Sequence, residues 1–495
     1  MNKRVLKLIC LVLALCLTLI PLSSCKKSDG DGDGEETTVS TSGTGGDGKS
    51  DYPFEGVDLG GKTMTVLCQD SDPGNSEKIL TYCDFFAKEL NNDPINDGIY
   101  YRNQEIENAL KCKLEIMTAK RAEVGTMLRD QIISGNTEID LAYLSGVDVN
   151  TVLHYQYLAD LMEIDTLNLR NEWWNQSSNR DLRVGGCQYL ATGDFSSKGL
   201  LSLSCIFFNT SVMETLKYPA DTFYDMVRND QWTIDKLKEF ANVAKDDKGN
   251  DGTISIDDRA GFVSEYGATA YYIVAAGQRA YKNTGTTFEV GIYGNDIAGE
   301  MVNKFITLLC DTSISMNTVD PALDGDYTKI YQQFKKGNIA FFSHTLYDIL
   351  DFRSMDMEFG ILPLPMYSTS QGDYYTISNR HFSCYMAIPA ICSDISEAGI
   401  LGEAMAYYGR THVRGVVYDK FFTNAQLVRD EDSIEMFDLI VESQVQDFGF
   451  VATTTIYDIA RTMAAEENPT GFLGSVSSQK TKIDADLEKV IEGLI

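Results

Sequence analysis

The chain has 495 residues, of which 43% are hydrophobic and 23% are charged, proportions that are ordinary for a globular protein. It carries 72 acidic and 42 basic residues, which gives a formal net charge of −30 at pH 7. So strong an acidic excess argues against nucleic acid or an anionic lipid surface as a binding partner. A folded part of this length suits two domains or a two-part body better than one ordinary core.

The first 24 residues have the order of a secretory signal, with a basic start, an apolar run from Leu6 to Leu22 and small residues before Cys25. Residues 22–25 (Leu-Ser-Ser-Cys) resemble the lipobox of bacterial lipoproteins, in which the chain is cut before the cysteine and the thiol is acylated. The resemblance implies a signal peptide over residues 1–24 and lipidation of Cys25. The alternative is an uncleaved transmembrane anchor, whose apolar core would be short and interrupted by proline.

The segment that follows is predicted to be a tether. Residues 26–50 are almost wholly Gly, Ser, Thr, Asp, Glu and Lys, so they cannot bury enough apolar surface to offset the entropy of ordering them. We therefore expect residues 25–56 to form a lipid-anchored flexible tether, with an r.m.s. reach of roughly 25 to 30 Å. It would hold the folded part at the outer face of the cytoplasmic membrane.

The cysteines beyond the anchor show neither CxxC pairs nor the spacing of a metal site. They lie in apolar runs, which favours buried free thiols, although the sequence leaves disulfide pairing open. They are Cys68, Cys83, Cys112, Cys187, Cys205, Cys310, Cys384 and Cys392.

The folded part begins with alternating strand and helix patterns. Strands are predicted over residues 62–68, 113–117 and 138–144, and helices over residues 75–90, 97–111 and 123–134. This alternation predicts a parallel α/β sheet, whose ligands lie beyond the carboxyl ends of the strands. Asp70, Ser145 and Asp148 directly follow two of these strands and are candidate binding residues. Further along, Thr233 is placed to cap a helix, and Trp232 is placed to pack against Leu237, so we expect Trp232 to be structural.

Seven stretches in this order resemble a known protein family. They are SGNTEIDLAYL (134–144), EWWNQ (172–176), GGCQYLATGDFS (185–196), CIFFNTSVM (205–213), QWTIDKLKEFANVAKDDKGNDG (231–252), FKKGNIAFFSH (334–344) and FGILPLPMYSTSQGDYYT (359–376). The ordered set resembles the extracellular solute-binding proteins of bacterial ABC importers, in the carbohydrate-type (family 1) branch. The resemblance extends over most of residues 60–460.

The resemblance implies an α/β fold of two lobes, joined by hinge strands and closing on a solute between them. The first lobe would comprise residues 57–192 and 352–390, and the second lobe residues 193–351 and 391–495. It also implies a non-enzymatic monomer that captures a mono- or oligosaccharide and delivers it to the transmembrane subunits of an ABC permease.

A sugar has apolar faces and a rim of hydroxyl groups, so its site needs aromatic rings together with carboxylates or amides. Aromatic and polar residues occur where the resemblance places the cleft. With the three residues named above, the candidates are Asp70, Ser145, Asp148, Trp173, Trp174, Asp194, Phe195, Tyr266, Tyr271, His344, Tyr347, Arg380 and His381. Polar residues at strand ends also serve as turn formers, and the tryptophan pair also suits packing within a lobe.

The loop DKGNDGTISIDD (247–258) has features of a calcium-binding loop. Its candidate ligands are Asp247, Asp251, Thr253, Ser255 and Asp258. Position three of the loop is glycine where a side-chain oxygen is needed, and position twelve is the short Asp. We therefore favour an acidic surface turn, with calcium as the alternative.

Two other functions are compatible with the sequence. A secreted hydrolase acting on glycans would need a pair of carboxylates or an activated nucleophile. The chain has no G-x-S-x-G or H-E-x-x-H motif, and its four histidines lack ligand spacing. A sensing lipoprotein that presents its bound form to a receptor would have the same sequence features as an importer subunit.

Overall fold

Two larger β-sheets organise this computed structural model, which describes residues 53–75, 77–153, 157–352, 358–422 and 431–494. The strands are β1 (Thr63–Gln69), β2 (Lys113–Ala119), β3 (Leu141–Leu144), β4 (Ser204–Asn209), β5 (Ala260–Ser264), β6 (Tyr281–Asn283), β7 (Phe288–Val290), β8 (Ser315–Asn317), β9 (Ile339–Thr345), β10 (Phe359–Leu362) and β11 (Tyr385–Ala387). The predicted signal peptide, Cys25 and residues 25–52 of the predicted tether lie outside the described residues.

Helices cover the faces of both sheets. They are α1 (Pro94–Leu110), α2 (Val124–Ile133), α3 (Val149–Val152), α4 (Gln176–Leu182), α5 (Ser197–Leu201), α6 (Thr210–Thr215), α7 (Asp221–Arg228), α8 (Ile234–Ala244), α9 (Tyr271–Ala275), α10 (Asp296–Leu309), α11 (Tyr327–Lys335), α12 (Ile349–Phe352), α13 (Ile395–Gly409), α14 (Val416–Phe422), α15 (Glu431–Glu442), α16 (Phe448–Ala452), α17 (Thr455–Ala465), α18 (Phe472–Ser478) and α19 (Lys480–Leu494). None of the helices in the described ranges is long and apolar enough to cross a membrane.

The first sheet has four strands in the order β11-β3-β1-β2. β1 pairs in parallel with β2, from Thr63 opposite Lys113 to Gln69 opposite Ala119, and it pairs in parallel with β3 on its other side. β11 joins the edge beside β3 in the antiparallel direction. The predicted parallel α/β arrangement is confirmed for the first three strands. We call this sheet and the helices packed on it the first lobe.

The second sheet has five strands in the order β10-β4-β9-β5-β8. β5 runs parallel to β8 and β9, whereas β4 is antiparallel to both of its neighbours. Every residue of β4, β5, β9 and β10 is buried, as expected for strands covered on both faces. We call this sheet and its helices the second lobe.

The division between the lobes differs from the predicted one in two places. β10, which the prediction put in the first lobe, pairs with β4 in the second sheet. Helix α13, which the prediction put in the second lobe, packs on α1 and β3 of the first. Both elements bury most of their residues, so each belongs to the lobe whose sheet it packs against. The other lobe boundaries stay predictions.

The predicted helix over residues 75–90 is wrong, because only Lys78–Leu80 forms a 3-10 turn there. Its apolar spacing does not make one buried face, since Phe86 is 52% exposed and Leu90 is 46% exposed. The segment is held by tertiary contacts instead. The Asp84 carboxylate accepts bonds from the Ser196 and Ser197 hydroxyls and from the backbone N–H of Lys198.

The other predicted helices form close to their predicted positions. Helix α2 ends before Gly135, whose φ of +73° suits a residue without a side chain. The Thr233 hydroxyl accepts a bond from the N–H of Lys236 and caps α8, as predicted. Trp232 is fully buried, and its indole N–H donates to the carbonyl of Pro363 at 3.0 Å, which confirms a structural role.

Candidate functional site

The two lobes contact each other where their central strands end. Tyr347 follows β9 of the second lobe, and its hydroxyl donates to Glu77 Oε1, in the segment after β1, at 2.6 Å. Beside it, Lys78 Nζ donates to the carbonyl of Leu350 at 3.0 Å. The carboxyl ends of the parallel strands of both lobes therefore border one interlobe surface, the usual position of a ligand in α/β folds.

A chain of hydrogen bonds crosses this surface. His344 Nδ1 lies 2.8 Å from Asp348 Oδ2, and His344 Nε2 lies 3.3 Å from the hydroxyl of Tyr347, which donates to Glu77. Burial alone would lower the pKa of His344, but the charge of Asp348, aided by nearby glutamates, outweighs it and raises the pKa to about 9. The imidazole is thus held as a cation within the chain Asp348–His344–Tyr347–Glu77.

Glu265 is a second glutamate at the interlobe surface, in addition to Glu77. It directly follows β5, and the hydroxyl of Tyr327 donates to its Oε2 at 3.4 Å. The Tyr327 ring also packs on His344, with 4.8 Å between ring centres. Burial raises the pKa of Glu265, while the charge of His344 opposes that rise. This group of an aromatic ring and a carboxylate is able to accept hydrogen bonds from a ligand's hydroxyl groups.

A cationic group lies at the same surface. Arg380 is only 6% exposed and occupies the segment that leads from β10 to β11. Its Cζ lies 5.0 Å from the ring centre of Tyr457 on α17, and its backbone N–H donates to the hydroxyl of Tyr271 at 3.1 Å. The terminal nitrogen reaches the Gly146 carbonyl of the first lobe at 3.5 Å. Arg380 therefore touches elements of both lobes.

Three exposed side chains lie near Arg380, the imidazole of His381 and the guanidinium groups of Arg121 and Arg461. His381 follows Arg380 in the chain, and the packing around its ring, together with the charges of Arg380, Arg121 and Arg461, lowers its pKa. The Cζ of Arg121 lies 6.0 Å from the ring centre of Phe382. Arg461 lies one helical turn after Tyr457 on α17, on the same side of the helix.

Solved structures resemble this body in fold. The galacto-N-biose-/lacto-N-biose I-binding protein of the ABC transporter from Bifidobacterium longum is 14% identical, with a TM-score of 0.58 over 87% of this chain and 98% of that chain. A cyclo/maltodextrin-binding protein is 14% identical, with a TM-score of 0.55 over 85% and 97%. The GacH receptor of Streptomyces glaucescens GLA.O is 12% identical, with a TM-score of 0.54 over 86% and 99%. No protein-family model matches the chain, and no curated protein matches it.

The chain has the two-lobed fold of the solute-binding proteins. This finding confirms the predicted fold class. Identities of 12 to 14% show a shared fold and no shared ligand.

The cavities that border Glu265, His344 and Ser145 are small, whereas a larger space of about 490 Å³ lies between Asp70, Lys78 and Leu350. A cavity of about 10 Å³ borders Glu265, Tyr271 and His344, and one of about 30 Å³ borders Ser145 and Lys198. Each has room for one or two water molecules, whereas small-molecule sites usually measure roughly 300 to 1,000 Å³.

The structure brings several predicted site residues to this surface and places others elsewhere. Tyr271, His344, Tyr347, Arg380 and His381 lie at the interlobe surface as described above. Ser145 borders it, but its hydroxyl donates to the buried Asp148, which also accepts the N–H of Gly125 at 3.0 Å. Asp148 thus joins the end of β3 to the start of α2.

Two further predicted residues lie at strand ends without converging on Arg380. Asp70 is exposed beside β1, where its carboxylate accepts the N–H of the next residue. Tyr266 is half-buried and packs against the core at the start of the turn after β5.

The tryptophan pair is anchored within the first lobe. The indole N–H groups of Trp173 and Trp174 donate to the two oxygens of Glu403 on α13, at 2.8 and 3.1 Å. Trp174 is 2% exposed and meets Phe195 edge to face. The polar atoms of both rings are therefore satisfied by the protein.

Asp194 belongs to an ion-pair cluster near α13. Its oxygens lie 3.0 Å from Arg414 and 3.5 Å from Arg410. Burial raises its pKa, and the arginine charges oppose that rise. A cavity of about 70 Å³ adjoins it, on the side of Trp174 and Tyr385.

The carboxylates of the loop 247–258 are directed at the loop's own backbone. Asp247 accepts the N–H of Gly252 at 2.8 Å, and Asp251 accepts that of Thr253 at 2.9 Å. Asp258 accepts both the N–H and the hydroxyl of Ser255. Across the ranges that the structure describes, no group of three or more His, Cys, Asp or Glu side chains is placed to hold a metal ion.

Sequence reasoning missed six residues of the site, namely Glu77, Arg121, Glu265, Tyr327, Tyr457 and Arg461. Glu265 directly follows β5 and Arg121 follows β2, so the rule applied to other strand ends could have found both. Tyr457 and Arg461 are brought to the site by a helix far along the chain, and no local pattern marks them.

Proposed function

We propose that the protein is an extracellular solute-binding protein that captures a mono- or oligosaccharide between its lobes and delivers it to an ABC permease. The observation that carries the proposal is the interlobe surface at the strand ends, where Glu77 and Glu265 lie beside the rings of Tyr327, Tyr347 and Tyr457. Rings and hydrogen-bond acceptors together match the two kinds of surface that a sugar presents. The known structures with this fold include proteins named for binding oligosaccharides.

Lobe closure is the proposed means of capture. Contacts such as Tyr347–Glu77 and Lys78–Leu350 hold the lobes together, and a solute shifts the balance only through its different affinity for the open and closed forms. The permease would recognise the closed form.

Location is the second part of the proposal. A lipid on Cys25 and the tether over residues 25–56 would keep a monomeric body at the outer face of the bacterial cytoplasmic membrane. This arrangement raises its effective concentration near the permease. The membrane contact is through the anchor alone.

The test is a thermal-shift screen of residues 26–495 against saccharides, amino acids and peptides. A ligand at one hundred times its Kd should stabilise the protein by about 2.7 kcal/mol. We expect a saccharide to bind and to be recovered unaltered. Binding of amino acids or peptides alone, or cleavage of a bound glycan, would contradict the proposal.

A further inference from the structure

Arg380 is a buried cation that lacks an anionic partner. Its Nε has no hydrogen-bond partner, and no described carboxylate forms an ion pair with its guanidinium. Its side chain reaches only the Gly146 carbonyl, at the long distance of 3.5 Å, and the face of the Tyr457 ring. These contacts leave most of the five N–H donors of the group unused.

Such an arrangement is unfavourable for the protein alone. Removing a charge from water is costly unless a partner of opposite charge and further hydrogen bonds replace the water. This chain has an excess of acidic residues, so a carboxylate beside Arg380 would have been readily available. A partner supplied by the solute explains why the protein does not provide one.

The residues around Arg380 also favour an anionic ligand. Arg121 and Arg461 are exposed at the same surface, and His381 lies among the three guanidinium groups. Neither Arg121 nor Arg461 forms an ion pair within the described part of the chain. By contrast, Arg410 and Arg414 are both paired with Asp194.

We infer that the protein binds acidic saccharides, namely uronic acids or oligosaccharides that contain them. Arg380 binds the carboxylate of the saccharide, and the exposed Arg121 and Arg461 contribute positive charge at the same surface. This inference rests on the proposed function and specifies its solute class. A planar guanidinium matches a carboxylate with two parallel N–H···O bonds. Glu265 and Tyr327, across the surface, then accept and donate bonds to the sugar's hydroxyl groups.

The binding test uses matched sugars that differ in one group. Residues 26–495 are titrated calorimetrically with galactose, galacturonate and galactose 6-sulfate, and with neutral and uronate trisaccharides of the same linkage. We expect the uronate form to bind at least about 30-fold more tightly than its neutral counterpart, because the neutral sugar leaves the buried charge unpaired. The sulfate ester separates a carboxylate site from a general anion site.

Variants connect this preference to the named residues. Arg380→Gln should remove the preference for the uronate, whereas the exposed Arg461→Gln should weaken it by roughly 2- to 5-fold. Arg129→Gln is the matched control, since Arg129 is partly exposed on α2 and pairs with its neighbour Asp130. The control should bind like the unmodified chain. Because Arg461 is exposed, its variant reports on the site even if Arg380→Gln folds poorly.

The outcomes separate the inference from the proposed function. Equal affinity for neutral and acidic sugars would overturn the inference and leave saccharide binding intact. A preference for the sulfate ester over the uronate would overturn the assigned carboxylate. Failure of every saccharide, with binding of an amino acid or peptide instead, would overturn both.

Discussion

Two buried cations at the interlobe surface differ in how their charge is compensated. His344 is paired with Asp348 at 2.8 Å and is linked through Tyr347 to Glu77, so the protein satisfies it completely. Arg380 is equally buried, but its Nε has no hydrogen-bond partner and its guanidinium forms no ion pair with a described carboxylate. The His344–Asp348 pair stabilises the fold, whereas the unpaired Arg380 is available to an anionic group of a ligand. Substitutions at the two positions should therefore have opposite effects on stability.

Asp348→Asn should have the largest effect, because it removes one partner of a fully buried ion pair. We expect a loss of about 3 to 5 kcal/mol in the free energy of unfolding, measured by urea denaturation. Glu239→Gln, which breaks an exposed pair with Lys236, is the control and should cost at most about 1 kcal/mol. A loss no larger than that of the control would show that the buried pair is not stabilising.

The pH dependence of stability should report on the same pair. The pKa of His344 is raised from 6.5 in the unfolded chain to about 9 in the folded protein. Its contribution is therefore fully present below pH 6.5 and is lost as the pH rises through 9, a decline of roughly 3 kcal/mol. The difference in unfolding free energy between the unmodified chain and Asp348→Asn should shrink over that range. A difference that stays constant from pH 6 to pH 10 would refute the assignment.

Glu403→Gln should have a smaller effect, confined to stability. The substitution weakens the two bonds from Trp173 and Trp174, and we expect a loss of about 1 to 3 kcal/mol. Saccharide affinity should be unchanged, since both indoles are satisfied within the first lobe. A tenfold loss of affinity at unchanged stability would instead make the tryptophan pair part of the binding site.

The sequence was sufficient where local pattern and tertiary structure agree. The alternation of strands and helices from β1 to β3 predicted a parallel sheet, and the strand-end rule led to Ser145. The same reasoning failed over residues 75–90, because contacts of Asp84 with Ser196 and Ser197 override the helical spacing.

The candidate site was predictable only in part for a related reason. His344, Tyr347 and Arg380 were available from strand ends or from the resemblance to a family. Tyr457 and Arg461 reach Arg380 through the packing of α17, which no short pattern encodes. The missing partner of Arg380 is a property of the whole fold, so it became visible only in the structure.

The most direct measurement is thermal unfolding of the unmodified chain and of Arg380→Met, each with and without the tightest-binding uronate saccharide. Replacing an unpaired buried charge by an apolar side chain of similar length should stabilise the free protein by about 1 kcal/mol, a rise in Tm of roughly one or two degrees. In the variant, the ligand-induced shift should fall to that of the matched neutral saccharide. A lower Tm for free Arg380→Met together with an intact ligand shift would contradict the account, since Arg380 would then stabilise the fold without holding the solute.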